Sequence, residues 1–343
     1  MGQWGSAAAL DLGGTQTRLA IRGAGLVLDE PSVVAADRDT GEVLSVGQAA
    51  RDALGLGSGA RAALRPLHGG RIADGAAAEA LVRALLRRAR PGPLWRPRLL
   101  MSVHTGATDV DERALIDVGM QAGARRVWLM EAPLAAALGA GLDVRAAEGR
   151  LVVDLGGGVA DAAVIALGGV VASACTTDGG GDAFDAALIR HVRKTYPLLI
   201  GARTAETVKC TIGTVTPGTD GPDRAVQGRS LETGLPRSLA LAPAETAVAY
   251  APVAETVAET IAAVLARTPP ELAADVGRTG ALLTGGGSRL RGLDSFLAAR
   301  LELPVTVAEE PELCVVRGLE AALPSLARRQ DGPLSLARRQ AGA

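Results

Sequence analysis

Residues Ala7–Ala20 form an apolar run that ends in Asp11, turns through Leu-Gly-Gly, and resumes as an apolar run after small polar residues. Leu151–Val164 repeats that order, with Asp154 followed by Leu-Gly-Gly-Gly. Either segment alone reads as an ordinary glycine-turn hairpin. The pair, about 140 residues apart and each with Asp at the end of its first strand, predicts an internal duplication. A chain so built has two similar domains facing each other across a cleft.

The rest of the sequence alternates in kind. Strands are expected at Gly41–Gly47, Arg98–Val103 and Leu282–Thr284. Helices are expected at Ala76–Arg90, Asp109–Ala122, Ala132–Leu138, Ala183–Tyr196, Ala202–Gly213 and Ala244–Ala266. In the first helix Leu81, Val82, Leu85 and Leu86 share a face, with Arg83, Arg87, Arg88 and Arg90 lying largely away from it. Thr108 with Asp111 three residues later reads as a near capping box. Alternation of this kind is the α/β class. The expected division is 1–150 for the first domain and 151–323 for the second, with the last helix able to return to the first. Residues 324–343 form a tail in which Ser-Leu-Ala-Arg-Arg-Gln occurs twice, from Ser325 and from Ser335.

Composition removes several classes of function. The chain of 343 residues has 36 basic and 37 acidic side chains, so nothing in its net charge of −1 draws it to nucleic acid. Lys194 and Lys209 are the only lysines, which excludes a Walker A loop with its Gly-Lys-Ser/Thr ending. Cys175, Cys210 and Cys314 lack metal spacing and fit a reducing, cytosolic compartment. His68, His104 and His191 are scattered, which argues against a zinc site. No secretory leader is expected from Met1–Ser6. The most apolar stretch, Leu151–Cys175, is too polar to span a bilayer. Aromatics are only 2% of the chain, so Trp95 in the loop Pro91–Arg98 stands out.

Gly13, Gly14, Thr15 and Gln16, with Thr17 just beyond, form a candidate phosphate loop, because glycines let backbone N–H groups approach an anion. Gly156, Gly157 and Gly158 supply a second loop from the other side. Asp11 and Asp154 would repel phosphate unless a divalent cation intervened, which implies Mg²⁺ held largely through water. Gly285, Gly286 and Gly287 form a third turn that could let an adenine ring lie against backbone.

The order of these turns, together with further stretches, resembles the MreB family of bacterial actin homologues in the actin/Hsp70/sugar-kinase superfamily. The matching stretches include Asp11-Leu-Gly-Gly-Thr, Ile72-Ala-Asp74, Gly106-Ala-Thr-Asp-Val, Glu131-Ala-Pro-Leu-Ala-Ala-Ala, Asp154-Leu-Gly-Gly-Gly, Gly181-Asp-Ala-Phe-Asp185 and Leu283-Thr-Gly-Gly-Gly-Ser-Arg. They run to about Leu323 and leave only the tail outside. The resemblance implies an actin-like ATPase fold: two similar domains built on duplicated ribonuclease H-like sheet-and-helix units around a nucleotide cleft. It implies ATP or ADP with Mg²⁺ as ligands, and filaments of this chain or with an MreB-type paralogue. It places those filaments in the cytoplasm, peripheral to the inner face of the cell membrane, where they act on wall synthesis and morphogenesis. Glu206 and Lys209 match the family's Glu-x-x-Lys pair near the nucleoside, whereas by spacing alone the preferred reading is a surface ion pair.

The departures concern hydrolysis. The family's second Glu in Glu-Glu-Pro is Ala132 here, and the Thr after its second glycine triplet is Val159. Neither side chain can orient or deprotonate water, and such losses typically cost roughly 10²–10⁴-fold in rate. Impaired ATPase activity is therefore expected, with Glu131 and Asp161 the candidates to substitute. Leu94 and Trp95 stand where family members present a hydrophobic membrane loop. Burying both would supply ~3–5 kcal/mol, with about 1 kcal/mol more for each nearby Arg at an anionic surface. The rival readings are a sugar kinase, for which no Asp base motif is present, an Hsp70-like chaperone, whose substrate domain has no counterpart, and a non-polymerising regulator that uses nucleotide as a structural ligand.

Overall fold

The computed structural model describes residues 7–55, 61–89, 92, 95–219 and 221–327. The first half opens with strands β1 (Ala7–Leu12), β2 (Gln16–Ile21), β3 (Gly25–Pro31), β4 (Val34–Asp37) and β5 (Val43–Val46). Helix α1 (Gln48–Gly55), strand β6 (Arg61–Leu64) and the short hairpin of β7 (Leu67–His68) and β8 (Arg71–Ile72) follow. Then come α2 (Gly75–Ala89), β9 (Arg98–Val103), α3 (Asp109–Gln121), β10 (Arg126–Glu131) and α4 (Ala132–Gly139).

The second half runs β11 (Arg150–Leu155), β12 (Ala160–Ala166), β13 (Gly169–Thr176), α5 (Gly181–Thr195), β14 (Leu198–Leu199) and α6 (Ala202–Ile212). It continues with β15 (Arg224–Ser230), β16 (Pro236–Leu241), α7 (Pro243–Leu265), α8 (Pro270–Thr279) and β17 (Ala281–Thr284). It closes with α9 (Leu293–Leu301), β18 (Val305–Val307) and α10 (Cys314–Ala327).

The two main sheets have the same plan, order β10-β9-β1-β2-β3 in one and β18-β17-β11-β12-β13 in the other. In each, the strand that ends in the repeated Asp is central. It pairs antiparallel with the next strand of its hairpin and parallel with a later strand reached through helices. The registers correspond as well: Asp11 lies opposite Arg18, and Asp154 opposite Asp161. Each main sheet carries a smaller three-stranded satellite, β5-β4-β6 in the first half and β14-β15-β16 in the second.

Local chemistry explains several boundaries. Thr108 caps α3 as the spacing predicts: its Oγ1 accepts from the Asp111 N–H at 3.3 Å, while Asp111 Oδ2 accepts from the Thr108 N–H at 2.9 Å. On α2 the apolar residues Leu81, Val82, Leu85 and Leu86 are all buried. Helix α7 is long and apolar enough to cross a bilayer by length and composition. In the fold its Tyr250, Val257, Ile261 and Val264 lie in the core of the second domain, and the helix packs against α5, β12 and β13.

Each domain has its own apolar core, and a third core joins them. Helix α10 returns to the first half and packs on α4, β1, β2 and β9, while α4 also touches β11 and β12. These two helices cross at glycines. A Cβ on Gly139 would overlap the Cys314 carbonyl oxygen, and one on Gly318 would overlap that of Ala135. The domains thus share a tightly packed floor.

Candidate functional site

The carboxyl ends of β1 and β11, where open α/β sheets commonly meet ligands, carry Asp11 and Asp154 to the wall of one cavity of about 290 Å³. Gly13, Gly14, Thr15 and Gln16 line it from the first domain, and Gly156, Gly157 and Gly158 from the second. The two loops are in contact: a Cβ on Gly157 would overlap Thr15 Oγ1, so only glycine permits this approach. Glu206, Lys209, Gly285, Gly286 and Gly287 complete the far side of the same cavity.

Hydrogen bonds fix the floor. Ser32 Oγ donates to the Gly13 carbonyl at 2.5 Å and shares a 2.7 Å bond with Thr17 Oγ1. Ser102 Oγ, at the end of β9, donates to Asp11 Oδ1 at 2.7 Å, and Thr284 Oγ1, at the end of β17, donates to Asp154 Oδ1 at 3.2 Å. With its amide in the orientation its neighbours require, Gln16 donates to the carbonyl oxygens of Thr15 and Glu30. It therefore braces the loop.

Burial raises the Asp11 pKa, against the opposing effects of the Ser102 bond and the charge of Arg18. Asp154 is pushed up to about 7, first by burial and then by the negative charge of Asp11. Two buried carboxylates that disfavour each other at the mouth of glycine loops suit a hard divalent cation. Among the described residues no group of three or more His, Cys, Asp or Glu could hold a metal alone. Water and phosphate oxygens would therefore complete the coordination.

Three of the sequence expectations meet a different arrangement. Glu206 and Lys209 do not pair with each other. Lys209 Nζ instead donates to Asp185 Oδ2 at 2.7 Å and to the Gly181 carbonyl at 2.9 Å, so the lysine ties α6 to the start of α5. Glu206 reaches across the cleft to Arg51 at 3.3 Å, and Asp182 reaches Arg65 at 3.1 Å. Glu131 and Asp161 do not line the cavity, whereas Ala132 and Val159 do. Asp161 is fully buried and accepts from the Thr105 N–H at 2.8 Å and from Thr105 Oγ1 at 2.5 Å.

Trp95 departs from the expected exposed anchor. It is half-buried and packs against the core of the first domain, while Leu94 lies outside the described residues, as does most of the repeated tail. The nearby Arg88 is held by Glu30 Oε1 at 2.6 Å.

Sequence reasoning passed over Arg18, Ser102, Asp185 and Thr284. Arg18 was accessible through the hairpin register, which sets it opposite Asp11. The other three depend on pairings between segments remote in sequence.

The fold and this cavity define an actin-like protein. The chain belongs to the MreB/Mbl family, whose model matches residues 5–331. It is 42% identical over 328 residues to the cell shape-determining protein MreB of Escherichia coli, covering 94% of each chain. It is 39% identical over 320 residues to the cell shape-determining protein Mbl of Bacillus cereus, covering 93% of this chain and 96% of that one. Crystal structures of MreB5 from Spiroplasma citri bound to AMPPNP and to ADP superpose with a TM-score of 0.88 at 30% identity. Each covers 94% of this chain, and 96% and 97% of the respective MreB5 chain. A MamK double helical filament shares the fold, with a TM-score of 0.79 at 21% identity over 95% of this chain and all of that one.

Proposed function

We propose that this chain is a cytoskeletal protein of cell-shape determination that binds ATP or ADP with Mg²⁺ and assembles into filaments. The carrying observation is the mirrored placement of Asp11 and Asp154, each at the root of a glycine loop, on one cavity between the domains. Support comes from the MreB5 structures, which were determined with AMPPNP and with ADP. Asp11 and Asp154 hold the cation through water, the two loops take the phosphates, and Gly285–Gly287 with Glu206 and Lys209 face the nucleoside. A bound Mg²⁺ supplies positive charge between the phosphates and the two carboxylates.

Hydrolysis is slow in this reading, because the cavity wall presents Ala132 and Val159 where polar groups would position water. The filaments contain this chain alone or with an MreB-type paralogue. They lie at the inner face of the cytoplasmic membrane and guide wall-synthesis proteins. Membrane contact uses Leu94 and the open part of Trp95, and avidity along a filament multiplies a weak single contact.

Sedimentation with ATP–Mg²⁺, with and without anionic vesicles, tests this reading. Nucleotide-dependent pelleting supports it. A chain that binds nucleotide yet pellets only with an MreB-type paralogue is instead a co-assembling regulator, the alternative that the altered cleft favours. Equal vesicle binding by wild type and Trp95→Ala would remove this loop from the membrane contact.

A further inference from the structure

His104 directly follows β9, whose Met101 is the parallel partner of Leu10, so it emerges at the sheet edge that also carries Asp11. Its Nδ1 and Nε2 are both buried, and neither has a hydrogen-bond partner. A buried polar atom left unsatisfied is costly, and such an orphan calls for a specific explanation.

The surroundings of the ring supply one. His104 belongs to the wall of the nucleotide cavity and to that of a second cavity, of about 810 Å³, which Gly69, Arg71, Gly158 and Thr177 also line. The Gly70 backbone is wedged between this imidazole and Val159: a Cβ there would lie 2.9 Å from His104 Cδ2 and 3.0 Å from Val159 Cγ1. The ring therefore stands beside the position where the family's threonine hydroxyl has been replaced by a methyl group. His104 and Gly158 line both cavities, whereas Gly285–Gly287 line only the nucleotide cavity. Burial lowers the His104 pKa, Arg71 lowers it further, and Asp111 opposes both. A neutral imidazole offers one donor and one acceptor.

We propose that His104 is the group that meets the terminal phosphate of a bound nucleoside triphosphate, donating a ring N–H to a phosphate oxygen that the diphosphate lacks. The inference rests on the nucleotide reading above and adds to it a residue that distinguishes the two nucleotide states. Neither ring nitrogen is open to the cavity in this structure, so the bond requires the imidazole to turn when the triphosphate binds.

The test uses the full chain, labelled with ¹⁵N-histidine, in ADP–Mg²⁺ and in AMPPNP–Mg²⁺, with His104→Gln to assign the ring signals. The expected result is a His104 ring-nitrogen shift of several ppm between the two complexes. In parallel calorimetry, His104→Ala weakens AMPPNP about tenfold and leaves ADP within about twofold, and His104→Gln restores part of the loss. Identical ring signals in both complexes, or equal weakening of both nucleotides, would overturn the inference while leaving nucleotide binding intact. Failure of the wild type to bind either nucleotide would overturn both readings.

Discussion

Thr105 in the first domain holds Asp161 in the second by two hydrogen bonds, from its N–H at 2.8 Å and from its hydroxyl at 2.5 Å. Asp161 lies in β12, opposite Asp154 in the hairpin register. It links the two domains and has no share in the cavity wall. The bond pair opposes the cost of burial, yet burial prevails, and the Asp161 pKa is pushed up to about 7.

That shift predicts a pH dependence with a definite sign. The unfolded carboxyl releases its proton near pH 3.8, whereas the folded one keeps it until about 7. The folded state thus binds more protons across this window, and its stability falls as pH rises from about 4 to 7. The slope is at most ~1.4 kcal/mol per pH unit for one such group. Asp161→Asn removes this group's share, leaving those of the other raised carboxyls, Asp11, Asp154 and Asp185. Urea midpoints measured from pH 5 to 8 should decline less steeply in the variant. An unchanged slope would mean that Asp161 is ionised in the fold throughout.

Restoring polar groups at the cavity wall should speed hydrolysis. Ala132→Glu with Val159→Thr is expected to raise single-turnover ATP hydrolysis by about 10²-fold, within the range usual for one positioned acid–base group. Phosphate release with protein in excess measures it. A double variant no faster than wild type would mean that these two positions do not limit the reaction.

The shared floor gives a prediction in which two effects oppose each other. Helix propensity alone makes Gly318→Ala stabilising by ~1 kcal/mol. The new methyl, however, would overlap the Ala135 carbonyl oxygen where α10 crosses α4, and overpacking of this kind costs ~1–3 kcal/mol. The net expectation is a loss of stability, read as a lower thermal midpoint. A rise would show that the helices can separate cheaply.

Much of this was legible in the sequence because it is local. The two Asp-glycine hairpins, the Thr108 cap and the buried face of α2 each depend on residues within one or two turns of chain. The repeat even foretold that both main sheets would share one plan, since each hairpin nucleates the same pairing around its central strand. What sequence spacing could not show lies between distant segments. Glu206 and Lys209 sit three apart on one helix, yet they face different partners because Asp185 and Arg51 arrive from elsewhere. Trp95 looked exposed from its proline-rich surroundings, but the first domain's core takes part of its ring. In the same way, only the three-dimensional arrangement sets His104 beside Val159.

The central claim is that two mirrored carboxylates and their glycine loops clasp one Mg²⁺–nucleotide between the domains. Titration calorimetry of AMPPNP into the purified chain, with Mg²⁺ and then with EDTA, tests it most directly when repeated on Asp11→Asn/Asp154→Asn. The account predicts saturable one-to-one binding that weakens at least tenfold without Mg²⁺, and a double variant that is indifferent to the cation. Binding of equal strength with and without Mg²⁺ in the wild type, or no binding at all, would contradict it.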